Sequence, residues 1–105
     1  MQNFRTLTLA VNFHHTIAET IAGTKLPKHM ADQLDRAFSS IALNLAEGRG
    51  KLTNKDKRKF FSIALGSVRE CQAIMMLYPN SFDSTQRLLI DKLAAANYLL
   101  VKRSL

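Results

Sequence analysis

Residues 39–50 read SSIALNLAEGRG, and this stretch carries three different stripes at helical spacing. One stripe recurs at about 3.6 residues, as a helix face in a core should, and consists of Ile41, Leu45 and Gly48. A polar seam beside it consists of Ser40, Asn44 and Glu47. A third, mostly apolar stripe consists of Ser39, Leu43 and Ala46. Because a surface helix needs only one apolar side, we predict that this helix faces a core on one side and a partner on the other.

The length and composition of the chain indicate a single packed domain in a reducing compartment. The 105 residues are 47% hydrophobic, enough for a core that buries about two-thirds of the unfolded surface. The only cysteine, Cys71, excludes an internal disulfide bond. No run reaches the ~18 apolar residues of a membrane-spanning helix, and the N-terminal residues lack the pattern of a signal peptide. We therefore expect a cytoplasmic protein that has no membrane partner.

The hydrophobic pattern predicts four helices within one domain, residues 1–105, and no sustained strand alternation. The helices are expected at about residues 4–22, 28–47, 54–78 and 84–102. Gly48 and Gly50 are expected to end the second helix, and Thr53 and Asp83 are expected to cap the third and fourth. Short breaks between helices predict an all-α, antiparallel up-down-up-down four-helix bundle. The alternative is a three-helix arrangement with a detached terminal helix.

Apolar spacing also predicts which residues face the core. In the first helix they are Leu7, Val11, Ala18 and Ile21, with Phe13 and Ile17 widening the stripe. In the second helix they are Met30, Leu34, Phe38, Ile41 and Leu45. In the third and fourth helices they are Phe60, Ala64, Cys71, Met75, Leu89, Leu93 and Leu100.

The polar seam of the second helix is expected to meet a second seam on the third helix. If the turn is centred near residue 52, Ser40 faces Gly66 and Arg36 faces Glu70. Glycine inside a helix costs about 1 kcal/mol relative to alanine, so Gly66 indicates a close approach of the two backbones. A partly buried Arg36–Glu70 ion pair beside it would fix the register of the helices.

The same polar residues also suggest an acid–base catalytic site, formed by Glu47, Glu70 and Asn44. A structural role is favoured, because no second carboxylate falls at acid–base or metal-ligand spacing from either glutamate. The Glu-x-x-His motif of di-iron helical bundles is also missing. We therefore expect no catalytic residue and no cofactor.

Apolar residues that point away from the expected core predict self-association. Leu43 lies on the second helix, and the other three lie on the third: Phe61, Leu65 and Met76. A contiguous apolar patch on adjacent helices indicates a partner surface. We predict that these four residues form the interface between copies of the chain.

Two segments, LPKHMADQLDRAFSSIALNLAEGRG (26–50) and FFSIALGSVRE (60–70), resemble a known family. The family is that of bacterial four-helix bundle proteins encoded in intervening sequences of large-subunit (23S) ribosomal RNA genes. Its pattern includes Leu/Phe-Pro-Lys, Asp-Gln-Leu-x-Arg-Ala, Ser-Ile, Asn-Ile-Ala-Glu-Gly and Ala-x-Gly-Ser-x-x-Glu. The matched polar and glycine positions are Arg36, Ser40, Asn44, Glu47, Gly48, Gly66, Ser67 and Glu70. Phe38 departs from the pattern, because small residues are more usual there.

The resemblance implies a homopentameric barrel of four-helix bundles. It also implies kinship with the accessory variability determinant of diversity-generating retroelements, which binds nucleic acid and partners a reverse transcriptase. It implies no established enzyme activity.

The positive charge of the chain is expected to collect at one end of such a bundle. Fifteen Lys and Arg against eight Asp and Glu give a net charge of +7, which favours a polyanionic partner. The cations expected at that end are Arg5, Arg49, Lys51, Lys55, Lys57, Arg58, Lys59, Lys102 and Arg103. Cations at the start of the third helix oppose its dipole, so their clustering there indicates phosphate binding. The alternative is a solvated helix start.

The remaining candidate residues favour structural roles. His14 and His15 are adjacent and point about 100° apart on a helix, so they are poorly placed to hold one metal ion with the distant His29. Cys71 lies on the expected core face, which favours a buried hydrophobic side chain over a reactive thiol.

Two functional hypotheses follow. The first is a non-enzymatic, homo-oligomeric scaffold whose basic end binds RNA or DNA, as an accessory to an enzyme such as a reverse transcriptase. The second is an oligomeric interaction module whose basic end meets an acidic protein and no nucleic acid. Beside these two hypotheses, that of an enzyme has the least support from the residues.

Overall fold

A computed structural model describes residues 4–105, and those residues form four α-helices and no strand. The helices are α1 (Arg5–Ala22), α2 (Lys28–Arg49), α3 (Asn54–Leu77) and α4 (Ser84–Arg103). A single 3-10 turn, Pro79–Ser81, joins α3 to α4. The protein is therefore all-α, with every predicted helix present and its ends within two residues of the prediction.

Side-chain caps fix where α3 and α4 begin. The Thr53 hydroxyl accepts a hydrogen bond from the Asp56 amide at 3.2 Å. At α4 the capping box is complete, since the Gln86 amide donates to Asp83 Oδ1 and the Asp83 amide donates to Gln86 Oε1, both at 2.8 Å. Each cap satisfies amides that the first turn leaves without a partner. The predicted caps are confirmed.

The helices pack in a closed cycle, in which α1 contacts α2, α2 contacts α3, α3 contacts α4 and α4 contacts α1. The contact between α2 and α3 is the most extensive of the four. Because α4 packs against both α1 and α3, the alternative with a detached terminal helix is wrong.

The core face of α1 differs from the predicted one. Its buried residues are Thr6, Ala10, Phe13, Ile17 and Thr20, whereas Val11 is 40% exposed and Ala18 is exposed. The apolar pattern predicted the wrong face because the buried face has a polar threonine near each end. Thr20 tolerates burial because its hydroxyl accepts a hydrogen bond from Gln86 Nε2 at 3.3 Å.

The close approach between α2 and α3 occurs at Gly48, not at Gly66. A methyl group at position 48 would lie 2.7 Å from the Phe61 ring, whereas one at position 66 would meet nothing within 4 Å. Gly48 is therefore part of α2 rather than its end, and α2 continues to Arg49. The alignment of the two polar seams is shifted by one residue from the prediction, because Ser40 lies against Ser67 instead of Gly66. The two hydroxyl oxygens are 2.9 Å apart. One residue turns a helix by about 100°, which leaves Gly66 exposed.

The core faces of α3 and α4 are also partly different from the prediction. Phe61 is buried where Phe60 was expected, and the other buried residues of α3 are Ala64, Val68, Cys71, Ile74 and Met75. On α4 the fully buried residues include Leu93, as predicted, and Asn97, which was not. Asn97 Nδ2 donates to the Phe61 carbonyl oxygen at 3.0 Å.

The α3 helix is long and apolar enough to cross a membrane by length and composition. Core helices of soluble proteins pass the same test, and one side of α3 is buried against α2 and α4. The prediction of no membrane partner stays a prediction.

The two interior glycines make a matched test of this packing. We expect Gly48→Ala to lower the free energy of unfolding by about 1–3 kcal/mol, because the new methyl group would displace the buried Phe61 ring. We expect Gly66→Ala to raise it by up to about 1 kcal/mol, because alanine favours the helix and the space beside it is open. Urea unfolding followed by circular dichroism measures both values. A tolerated alanine at 48, or a costly one at 66, would contradict the assigned close contact.

Candidate nucleic-acid interface

One cavity of about 290 Å³ brings together the beginning of α1, the end of α2, the beginning of α3 and the end of α4. We call it the cationic cavity. Its lining consists of Phe4, Arg49, Asn54, Lys57, Phe61, Leu100, Arg103 and Ser104. Three of the nine predicted cations therefore share one space, and none of the lining residues within 4–105 carries a carboxylate side chain.

The floor of the cationic cavity is built by the α2–α3 contact. Phe61 lies at the bottom with 4% of its surface exposed, and its ring centroid is 6.2 Å from that of Phe4. Gly48 permits this position, because a side chain there would overlap the ring. Asn54 contributes a polar lining group that the sequence analysis did not name, although its place at the first position of α3 is a usable signal.

Aromatic rings hold several of the predicted cations in place. Arg49 Cζ lies 5.1 Å from the centroid of the Phe4 ring, and Lys102 Nζ lies 5.8 Å from that of Tyr98. Phe60 receives two lysines, with Nζ of Lys51 at 5.0 Å and Nζ of Lys59 at 5.6 Å. Each contact is worth about 0.5–1 kcal/mol at an exposed site. Phe60, predicted for the core, is half-buried and has two lysine ammonium groups over its ring.

The other predicted cations divide between structural and exposed positions. The Arg58 guanidinium donates to the Ser104 carbonyl oxygen at 3.5 Å, so it favours the carbonyl end of α4. Lys51 also forms an ion pair with Glu47 at 3.7 Å. Lys55 is exposed. Arg5 is exposed and lines a second groove, together with Arg103.

The predicted polar seam is present, but its hydrogen bonds differ from the expected contacts. Asn44 Nδ2 donates to the Ser40 carbonyl oxygen at 2.8 Å and lies 3.2 Å from its hydroxyl, which also receives the Ser67 hydroxyl. Glu47 is exposed beside this network. The hydrogen bond from the Ser67 hydroxyl to the Ser40 hydroxyl links α3 to α2, and the Asn44 bonds lie within α2.

The predicted Arg36–Glu70 ion pair is not formed. Both residues line one shallow cavity of about 310 Å³, but the ion pairs within residues 4–105 are Lys28–Asp32 and Lys51–Glu47. The cause is the register, because pairing Ser40 with Ser67 displaces Glu70 from the position that the prediction assumed.

The four predicted interface residues do not share one environment. Leu43 is 70% exposed and Met76 is 80% exposed, as predicted for a single chain. The prediction is wrong for Phe61, which is buried because Gly48 admits its ring into the core. Leu65 is half-buried. Met76 lies eleven residues beyond Leu65, about 16 Å along the helix axis, so the four do not form one contiguous patch.

Cys71 and His14 occupy structural environments, whereas His15 and His29 are exposed. Burial, with a smaller contribution from the nearby Glu70 carboxylate, raises the pKa of the Cys71 thiol from 9.0 to about 12. The His14 ring stacks on Phe38 at 4.2 Å between centroids. No group of three or more His, Cys, Asp or Glu side chains in residues 4–105 is placed to hold a metal ion, and the expectation of no metal stays a prediction.

The fold and the cationic cavity define a small, basic, all-α protein of four packed helices. A family model for 23S rRNA-intervening sequence proteins matches residues 3–85, most of the chain. The protein therefore belongs to the 23S rRNA-intervening sequence protein family. No curated protein and no solved structure matches the chain. The resemblance seen in residues 26–70 is confirmed and extended to α1, while kinship with the retroelement accessory protein stays a prediction.

The buried thiol gives a direct test of the core. At about pH 8 we expect iodoacetamide to modify Cys71 at least ~100-fold more slowly in the native protein than in urea, because the reagent attacks the thiolate and burial suppresses it. Mass spectrometry of timed samples measures the modification. Rapid labelling of the folded protein would show that α3 does not bury this residue.

Proposed function

We propose that the protein is a non-enzymatic, cytoplasmic scaffold whose basic end binds the phosphate backbone of RNA or DNA. The observation that carries this proposal is the cationic cavity, where Arg49, Lys57 and Arg103 from three helices meet and no other described lining residue is charged. Backbone phosphates are the polyanion that such a sequence-independent cluster fits. The remaining predicted cations would extend the contact around this cavity.

An antiparallel up-down-up-down arrangement of the helices supports one basic end. The cationic cavity joins the beginnings of α1 and α3 to the ends of α2 and α4. At the far end, Gln86 Nε2 near the beginning of α4 donates to the Thr16 carbonyl oxygen of α1 at 2.7 Å. There the Ser81 hydroxyl also donates to the Lys25 carbonyl oxygen at 2.6 Å. These contacts at the two ends support a bundle in which each helix reverses direction relative to its predecessor.

The far end is expected to carry four acidic and three basic side chains, which would make the molecule a dipole along its long axis. The charged residues expected there are Glu19, Asp32, Asp35, Asp83, Lys25, Lys28 and Arg87. Lys28 is paired with Asp32 at 3.2 Å. A polyanion would therefore be steered toward the opposite end of the bundle.

Self-association would bring the basic ends of several copies together. Family membership, with the pentamer that the resemblance implies, favours a ring of identical contacts, and the strongly exposed Leu43 supports an interface on the outer face of α2. In a ring with parallel bundle axes, the basic ends gather on one side. Several cationic cavities would then act on one strand, with affinity raised by multivalency. A reverse transcriptase or another nucleic-acid enzyme would be the protein partner.

A second candidate function, binding of an acidic protein without nucleic acid, is favoured by one groove. The groove has a volume of about 640 Å³ and lies between α1 and α4. Its apolar lining includes Leu9, Ala96 and Leu99, and its cationic lining consists of Arg5, Lys92 and Arg103. An amphipathic helix with acidic flanks fits such a surface.

Substitution of two exposed lysines tests nucleic-acid binding. We expect Lys55→Gln with Lys59→Gln to weaken binding of RNA or DNA about tenfold and to reduce the slope of log affinity against log salt by about one per lysine, because phosphate contacts release counterions. Electrophoretic mobility shift at two salt concentrations measures both quantities.

The matched control removes the same charge from the far end, with Lys25→Gln and Lys28→Gln. Equal losses in the two double variants would show that net charge acts without a site. If the unmodified protein bound neither RNA nor DNA and instead captured an acidic protein after nuclease treatment, the second candidate function would replace the first.

Self-association has its own matched pair of substitutions. We expect Leu43→Asp to produce monomers or smaller species, because a carboxylate would be desolvated in the interface. Leu52→Asp is the control, since Leu52 is 98% exposed at the turn between α2 and α3. Multi-angle light scattering at micromolar concentration gives the masses. A monomeric unmodified protein would end the idea, and an unchanged oligomer in Leu43→Asp would place the interface elsewhere.

A further inference from the structure

The cationic cavity has the form of a cup, in which buried residues form the floor and exposed residues form the rim. Its floor is formed by two buried residues, Phe61 and Ser104. Its rim carries exposed polar side chains, and Lys57 is half-buried between floor and rim. The exposed rim residues are Arg49, Asn54 and Arg103. A volume of about 290 Å³ accommodates one phosphate group with surrounding water.

Cations are the charged side chains among the described residues that line this cup. Arg49, Lys57 and Arg103 come from α2, α3 and α4, and none of the other described lining residues carries a carboxylate side chain. The helix dipoles contribute little net potential, because α1 and α3 begin at this cavity while α2 and α4 end there, so its positive potential comes from the side chains. Arg49 is oriented by its contact with the Phe4 ring at 5.1 Å. An oxyanion in the cup would relieve repulsion among these groups.

We propose that the cup binds the terminal phosphate monoester of a nucleic-acid strand. The inference rests on the proposed nucleic-acid binding and names the part of the strand that this cavity takes. A monoester carries about −1.5 to −2 charges near neutral pH, which meets three cations better than the single charge of an internal diester. Its shape also fits, since a terminal phosphate has a nucleoside on one side only and enters a cup whose floor is closed.

Strands that differ only in a terminal phosphate or a terminal hydroxyl test the assignment. With the unmodified protein, fluorescence anisotropy should show about tenfold tighter binding of the phosphorylated strand, because charge-assisted hydrogen bonds add to the backbone contacts. Lys57→Gln with Arg103→Gln should abolish this preference, and Lys25→Gln with Lys28→Gln should retain it. Arg103→Gln alone, at an exposed position, should reduce the preference without disturbing the core.

Thermal unfolding in inorganic phosphate provides a second readout that needs no nucleic acid. At about 20 mM phosphate, Tm should rise by about 3 °C or more relative to chloride of equal ionic strength, and the rise should vanish in Lys57→Gln with Arg103→Gln. An equal rise in all variants would reflect a general salt effect and overturn the inference.

The two proposals fail in different ways. Strands that bind equally with and without the terminal phosphate would overturn the strand-end assignment and leave the proposed function standing. A phosphate-dependent Tm shift without binding of any strand would overturn both the proposed function and the strand-end assignment, leaving the cup as a site for free phosphate.

Discussion

The contact between Gly48 and the Phe61 ring is the constraint on which the rest of the structure depends. A glycine inside α2 removes the side chain that would overlap this ring, and the ring then closes the space between α2 and α3. The same contact fixes the helix register, which sets Ser67 against Ser40. Phe61 also offers its carbonyl oxygen to Asn97 of α4 and forms the floor of the cationic cavity. Core packing and the candidate binding surface therefore share one residue.

Buried polar groups give the bundle its specificity where apolar packing alone would allow sliding. Gln86 ties α4 to α1 through Thr16 and Thr20, and Asn97 ties α4 to α3. Within residues 4–105, Asn97 Oδ1 is buried without a hydrogen-bond partner. Such an acceptor costs about 1–3 kcal/mol, so the single bond that Asn97 makes has its value in fixing α4 rather than in adding stability.

The clustering of cations has a cost that the surrounding structure only partly offsets. Like charges at the start of α3 oppose one another and the helix dipole, while the Phe4, Phe60 and Tyr98 rings and the carbonyl end of α4 give individual cations favourable contacts. Among the residues that the structure describes, none that lines the cavity with these three cations carries a carboxylate side chain. A cluster of cations held in this way is suited to an external anion.

The sequence by itself determined the four helices, their caps and the family, because helical periodicity, N-cap chemistry and ordered motif residues are local properties. It also predicted nine cations for one end of the bundle, without showing that Arg49, Lys57 and Arg103 share a cavity. Only the tertiary structure decided which face of each helix is inside. A shift of one residue rotates a side chain by about 100°, and long-range contacts alone choose among such rotations. For this reason Gly48 rather than Gly66 lies at the close helix contact, and Phe61 rather than Phe60 is buried. Thr6, Thr20 and Asn97 are likewise buried despite their polarity.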